Sequence, residues 1–225
     1  SFTFKANDGS FDSNTATISI TVESVNDVPL ASDLNVSTQE DTPVSVVLAA
    51  TDDDGDALSY IVISGPAHGT LTGTAPTLTY TPAANYYGPD SFTYQASDGT
   101  AVSNTATVFI TVSSVNDPPI VPTNKTVTAV ENGPSVPLGI TAPTDADGDS
   151  LTITVTSVPN PAKGTVRLSD GGAVVAVSQV LSVGELTGLV FSPAPGAAGA
   201  AGAFAYTVTD GNGGTASQTV MIQIT

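Results

Sequence analysis

The sequence contains no cysteine and no tryptophan, a single histidine, and only 4 lysines and arginines among its 225 residues. Without cysteine there are no disulfides, catalytic thiols or thiolate metal sites. Small secreted eukaryotic domains often rely on disulfides, so a bacterial surface protein fits this composition better. Against so few cations stand 21 Asp and Glu, for a net charge of −17. Nucleic acid and anionic membrane are therefore excluded as partners, because phosphate binding needs clustered Lys and Arg. Such a surface suits cations. No apolar run approaches the 18 residues of a bilayer span.

The inventory for catalysis is equally thin. His68, within Pro66-Ala67-His68-Gly69, has no nucleophile pattern nearby and reads as a solvated turn residue. Paired carboxylates run glycoside hydrolysis only when one sits in a cleft with a raised pKa, usually among aromatics. Aromatics are 6% of the chain, placed mostly at core-facing positions such as Phe92 and Tyr94. No Gly-rich phosphate loop opens a helix. The expectation is a protein that is not an enzyme.

What the chain has is itself, repeated. Ser1-Phe2-Thr3-Phe4-Lys5-Ala6-Asn7-Asp8-Gly9, running to Val25-Asn26-Asp27, returns 90 residues later as Ser91-Phe92-Thr93-Tyr94-Gln95-Ala96-Ser97-Asp98-Gly99, running to Val115-Asn116-Asp117. A looser copy is Phe204-Ala205-Tyr206-Thr207-Val208-Thr209-Asp210-Gly211. Fixed-period similarity marks a tandem array. Residues 1–27 match only the end of a unit, so the chain reads as a piece of a longer protein, for which a missing signal peptide says little. The expected divisions are a terminal hairpin and linker at 1–27, a repeat at 28–117, and a longer repeat at 118–225. Prolines after Asn26-Asp27 and Asn116-Asp117 end a strand and stiffen the exit.

The apolar content of 40% is enough for cores, and the weight of Val, Ile and Thr favours sheet. Ala106, Val108, Ile110 and Val112 alternate with Thr105, Thr107, Phe109 and Thr111. Ala16, Ile18, Ile20 and Val22 do the same, as do Val220, Ile222 and Ile224. This is the pattern of half-buried antiparallel strands, with Asp-Gly as the hairpin turn between them. In the middle unit strands are expected at about 34–38, 44–50, 58–63, 69–72, 77–81, 91–96 and 104–113. Seven strands in one unit imply an all-β fold of tandem immunoglobulin-like β-sandwiches. Asp52 to Asp98 spans 46 positions and Asp145 to Asp210 spans 65. The last unit therefore carries an insertion, expected as a hairpin around Ser169-Asp170-Gly171-Gly172 and one helical turn near Val183–Thr187. The Gly/Ala stretch from Ala194 to Gly202 reads as a low-complexity surface loop.

The acids are unevenly placed. Asp27, Glu40, Asp52, Asp53, Asp54, Asp56, Asp90, Asp98, Asp117, Asp145, Asp147, Asp149 and Asp210 sit at strand ends or in linkers. Solvation of turns accounts for single aspartates. It does not account for Asp52-Asp53-Asp54-Gly55-Asp56 or Asp145-Ala146-Asp147-Gly148-Asp149, where carboxylates repel one another unless a cation neutralises them. Alternate carboxylates on a tight glycine turn suit a hard cation that takes 6–8 oxygens, calcium rather than magnesium. Neither loop is an EF-hand, since glycine occupies the fourth position and Ile63 or Thr156 the twelfth. Counting strand directions puts the Asp52–Asp56 loop and Asp98 at the end where the preceding linker enters. Glu40, Asp90, Asn116, Asp117, Asp145, Asp147 and Asp149 are then expected to converge at the junction between repeats.

These features resemble the cadherin-like repeats of large bacterial cell-surface adhesins, units of roughly 95 residues with a Val-Asn-Asp-x-Pro linker and an Asp-x-Asp-Gly-Asp loop. The resemblance covers essentially the whole chain. Asn26, Asp27, Pro29 and Asn116, Asp117, Pro119 are similar to the calcium-linker motif of cadherins. Asp52/Asp54 and Asp145/Asp147 resemble its Asp-x-Asp pair, and Glu40 its early-strand glutamate. The chain departs from cadherins in having a linker poorer in acids, no Asp-Arg-Glu, and Gly/Ala in the last unit where Asp90 stood. The resemblance implies calcium as cofactor, about one or two ions per junction. It also implies an extracellular location and neighbouring repeats of the same protein as partners. Two alternatives stay open. Residues 1–22 could donate strands to another copy in a filament. Or the chain could be an accessory module of a secreted enzyme that meets a glycan or receptor through Tyr86-Tyr87 and the Gly/Ala stretch.

Overall fold

A computed structural model describes residues 1–169 and 171–225. The chain divides into two compact units, Ser1–Ser113 and Ser114–Thr225. The first begins with a hairpin of β1 (Phe2–Phe4) and β2 (Ala16–Ile18), which among the described residues pair only with each other. A sandwich follows, built from β3 (Leu30–Ala31), β4 (Leu34–Gln39), β5 (Val44–Val47), β6 (Ala50–Thr51), β7 (Ser59–Ser64), β8 (Gly69–Thr74), β9 (Thr77–Pro82), β10 (Gly88–Ser97) and β11 (Ala106–Ser113). One sheet runs β4-β11-β10-β7 and the other β5-β9-β8, with β3-β6 as a short separate pair. β4 lies parallel to β11; the other pairs are antiparallel.

Period two in the sequence becomes inside and outside in the sheet. Ala106, Val108, Ile110 and Val112 are buried, while Phe109 faces out. They pack with Phe92 and Tyr94 of β10 against Val46, Leu78 and Tyr80 of the facing sheet. The run 44–50 is not one strand. Leu48 N–H donates to Pro76 and Ser32 N–H to Ala49 O, so the chain leaves one sheet at Leu48 and pairs with β3 at Ala50.

The second unit repeats this plan. Its strands are β12 (Lys125–Ala129), β13 (Val136–Pro137), β14 (Thr152–Ser157), β15 (Gly164–Arg167), β16 (Val180–Leu181), β17 (Val190–Pro193), β18 (Gly199–Thr209) and β19 (Thr215–Ile224), with α1 (Val183–Thr187) after β16. Sheets β12-β19-β18-β14-β16 and β13-β17-β15 match those of the first unit, β16 being an addition to the edge strand β14. The insertion supplies that strand and α1. Ser182 and Glu185 form a reciprocal capping box, and Val175, Leu181, Leu186 and Leu189 join the core. The turn at Ser169–Gly172 closes by Leu168 N–H to Ala173 O; Asp170, placed in that hairpin by the sequence, lies outside the described residues.

A second expectation also needs correcting. Residues Gly199–Gly202 are not a surface loop but the start of β18, with a register shift between Ala200 and Gly202. Ala201 is buried, and its carbonyl accepts a hydrogen bond from Asn160 N–H at 2.8 Å. Small side chains let this strand run beside the Pro159–Asn160 backbone. A further recurrence is steric: Gly69 and Gly164 face the rings of Tyr80 and Phe191, where a Cβ would collide.

Candidate metal centres

Each acidic loop is wound by its own first aspartate. Asp52 Oδ1 accepts the backbone N–H groups of Asp54 (3.0 Å) and Asp56 (3.3 Å). Asp145 Oδ1 accepts those of Asp147 (3.0 Å) and Asp149 (3.2 Å). This winding needs a left-handed residue, and Gly55 and Gly148 both sit at φ 77°. The result in each loop is three carboxylates whose nearest oxygens lie within 4.8 Å of one another.

The linkers dock on these loops within their own units. Asp27 N–H donates to Asp54 Oδ2 at 2.7 Å, and Asp117 N–H to Asp147 Oδ2 at 2.8 Å. Asn26 Nδ2 reaches Asp98 Oδ2 at 3.0 Å; Asn116 Nδ2 reaches Asp210 Oδ2 at 2.8 Å. The second carboxylate oxygen in each case winds the hairpin turn, Asp98 Oδ1 accepting from Thr100 and Ala101, Asp210 Oδ1 from Asn212, Gly213 and Gly214. The Ala101 N–H, the Asn26 amide and the Thr100 N–H hold Asp98 below the ordinary carboxylate range. For Asp210 the Asn116 amide leads and outweighs burial. These bonds are why Asn116 and Asp117 belong to the second unit rather than closing the first.

One oxygen in each loop is left over. Asp52 Oδ2 and Asp145 Oδ2 are buried and accept no hydrogen bond among the described residues. A buried, unsatisfied carboxylate oxygen costs free energy, so its occurrence at the same position of two loops calls for a positive partner. The donor set, three carboxylates on a glycine turn, fits a hard divalent ion.

The structure thus gathers Asp27, Asp52, Asp54, Asp56 and Asp98 in the first unit, and Asn116, Asp117, Asp145, Asp147 and Asp149 in the second. Glu40 is buried, its N–H bonded to Ser113 O at 2.9 Å. Asp90 does other work. Asp90 accepts Ala67 and Ser91 N–H on Oδ1, and His68 N–H and the Tyr80 hydroxyl on Oδ2. Four donors fill its lone pairs. Asn26 was named only as part of the linker motif, and Asp210 and Asn212 were missed as site residues, although the third copy of the Asp-Gly turn points to Asp210. His68 is exposed and stacks on Tyr86 at 4.1 Å, while the Tyr86 hydroxyl donates to Pro89 O and Tyr87 stays open.

The model of the bacterial Ig domain matches residues 26–111 and again 116–223. The chain belongs to the bacterial Ig domain family. Each matched domain opens at the asparagine, Asn26 or Asn116, that seats on the hairpin aspartate. Among solved structures, human mucin-like protocadherin EC1-2 is 16% identical at a TM-score of 0.44, covering 88% of this chain and 98% of that one. The protocadherin GammaB4 extracellular domain is 18% identical, TM-score 0.44, covering 95% and 37%. An endo-fucoidan hydrolase of glycoside hydrolase family 107 is 21% identical, TM-score 0.37, covering 99% of this chain and 33% of that one. The tandem bacterial Ig domains thus span about a third of the hydrolase's length. No curated protein matches the chain.

Proposed function

We propose that these tandem domains are a structural spacer of a bacterial extracellular protein, with calcium fastening each linker to the domain it enters. The observation that carries this reading is the buried Oδ2 of Asp52 and of Asp145, each without a donor among the described residues and each belonging to a group of three close carboxylates. Asp52, Asp54 and Asp56, with Asp27 and Asp98 beside them, would hold one ion. Asp145, Asp147 and Asp149, with Asp117 beside them, would hold the other, while Asp210 seats the linker through Asn116. The ion supplies positive charge that offsets carboxylate repulsion. The chain's own contribution is the ring of N–H···Oδ1 bonds that aims the carboxylates and the Asn amide that pins the linker. No catalytic role is assigned: the aspartates are committed to winding loops, and His68 to a ring stack.

Extracellular sites of this kind bind at roughly 10⁻⁴–10⁻³ M. Isothermal calorimetry, with limited proteolysis at residues 24–29 and 114–119, tests the reading. Calcium should bind at millimolar levels and protect both linkers; no heat and unchanged cleavage would defeat it.

A second reading, strand donation to another copy, is favoured by one observation. Phe2, Phe4, Ile18, Ile20 and Val22 of the first hairpin are all exposed. Deleting residues 1–25 should abolish any self-association seen in sedimentation; association that persists removes this reading.

A further inference from the structure

The two loops are wound alike, yet their surroundings differ, first at the residue two positions after the hairpin aspartate. In the second unit Asn212 Nδ2 donates to Asp149 Oδ2 at 2.7 Å. Asn212 also stands two residues after Asp210 and donates its own N–H to Asp210 Oδ1. It therefore couples the hairpin turn that seats the linker to the last carboxylate of the ring. In the first unit the equivalent residue, two after Asp98, is Thr100. Its N–H makes the same turn bond to Asp98 Oδ1. Its side chain is too short to repeat the amide contact, and Asp56 has no side-chain donor among the described residues. Burial follows suit. Asp145, Asp147 and Asp149 are all half-buried, whereas Asp54 and Asp56 are exposed.

The linker seat differs in the same direction. Asp210 Oδ1 gathers three backbone N–H groups where Asp98 Oδ1 gathers two. Gly214 allows the close approach of Pro118, since a Cβ there would lie 2.8 Å from Pro118 Cα and collide with Asp210. The corresponding position in the first unit, four residues after Asp98, is Val102, which is exposed.

Resting on the calcium reading above, we infer that the two sites are not equivalent: the second is pre-assembled and fills first, and Asn212 is the positioning residue that makes it so. A carboxylate fixed by a side-chain donor need not be ordered by the ion, and loss of such an outer partner typically weakens metal binding about 10- to 100-fold. The spacer would then respond to calcium in two steps, its two linkers fastening at different concentrations.

Calcium calorimetry on single-site chains tests this. With Asp52→Asn the titration reads the second site; with Asp145→Asn it reads the first. The second should bind more tightly, and Asn212→Thr in the Asp52→Asn chain should weaken it about 10- to 100-fold with an unchanged circular dichroism spectrum. Because Asn212→Thr alters a turn, the converse Thr100→Asn in the Asp145→Asn chain gives an independent measure and should tighten the first site. Equal affinities in the two single-site chains, or an Asn212→Thr site as tight as before, overturn the inference while leaving calcium binding intact. Absence of binding in the unaltered chain would instead sink the calcium reading, and this inference with it.

Discussion

Residues 1–22 and 91–112 are the same hairpin written twice, and the structure treats them differently. The local bonds are the same. Asp8 Oδ1 accepts Ser10 and Phe11 N–H as Asp98 Oδ1 accepts Thr100 and Ala101. Ser13 Oγ accepts Ala6 N–H at 2.9 Å, and Ser103 Oγ accepts Ala96 N–H at 2.9 Å. Burial is not the same. Phe2 is 53% exposed and its counterpart Phe92 1%; Ile20 is 62% exposed and Ile110 1%. The hairpin's turn is therefore a property of its own residues. Its apolar face is a property of the sheet β5-β9-β8, which Phe92 and Ile110 have opposite them and Phe2 and Ile20 do not.

The largest test of this contrast is a pair of truncations. Phe92→Ala removes a fully buried ring and should destabilise the first sandwich by about 3–5 kcal/mol. Phe2→Ala, the same change in the other copy, should stay within about 0.5 kcal/mol. Urea unfolding followed by tyrosine fluorescence measures both. A Phe2→Ala cost approaching that of Phe92→Ala would mean the first hairpin is covered in solution.

The same contrast explains what could be read from the sequence. Alternating Val, Ile and Thr between Asp-Gly turns located the strands from Leu34 to Ser113, because period and punctuation are local. The capping box made the helical turn at Val183–Thr187 equally local. What escaped was decided by tertiary neighbours. Gly199–Gly202 carries no alternation of large and small side chains, so its pairing with β19 leaves no periodic trace. The break at Leu48 depends on Pro76, far along the chain. The four donors of Asp90 come from a turn and a strand up to 23 residues away. The Asp-x-Asp-Gly-Asp loops were legible as clusters and Asn26 and Asn116 as a linker motif, but not the hairpin aspartates on which those amides seat, nor the Asn212 amide on Asp149.

Calcium should sharpen the comparison between units. At about 100 times its dissociation constant each ion adds roughly 2.7 kcal/mol. Chelation should therefore lower both unfolding transitions in scanning calorimetry. Asp52→Asn should remove the calcium increment from the first unit alone, and Asp145→Asn from the second alone. A residue 1–22 hairpin that lacks such a loop should show no calcium response in its amide exchange.

Acid should separate the units next. Burial pushes the Asp90 carboxyl up, but the N–H of Ala67, the Tyr80 hydroxyl and the N–H groups of Ser91 and His68 outweigh it, leaving the carboxyl below its ordinary value of 3.8. A folded pKa below the unfolded one gives stability that is present above the unfolded value and is lost as pH falls through the folded value. Asp90 has no counterpart in the second unit, where the Ala201 carbonyl takes the donor from Asn160. Asp90→Asn leaves one oxygen as a donor group, so two of its four hydrogen bonds lose their acceptor. It should cost the first unit about 1–3 kcal/mol near neutral pH and flatten its stability curve below about pH 4. An unchanged curve in this variant would remove Asp90 from the account.

The smallest effect is the most direct probe of burial. Ser13 and Ser103 make the same pair of bonds, accepting an N–H seven residues back and donating to the next carbonyl, Asn14 O at 2.8 Å and Asn104 O at 2.7 Å. Ser103 is buried and Ser13 exposed. Ser103→Ala leaves the Ala96 N–H without its hydroxyl acceptor where water has little access, and should cost about 1 kcal/mol. In Ser13→Ala, water replaces the hydroxyl and the change should fall within about 0.5 kcal/mol. Amide exchange at Ala6 and Ala96 reads the two sites separately, and should accelerate far more at Ala96. Equal acceleration would show that the bond's worth is set by turn geometry alone, and the contrast between the two hairpins would then rest on their apolar faces and not on their polar ones.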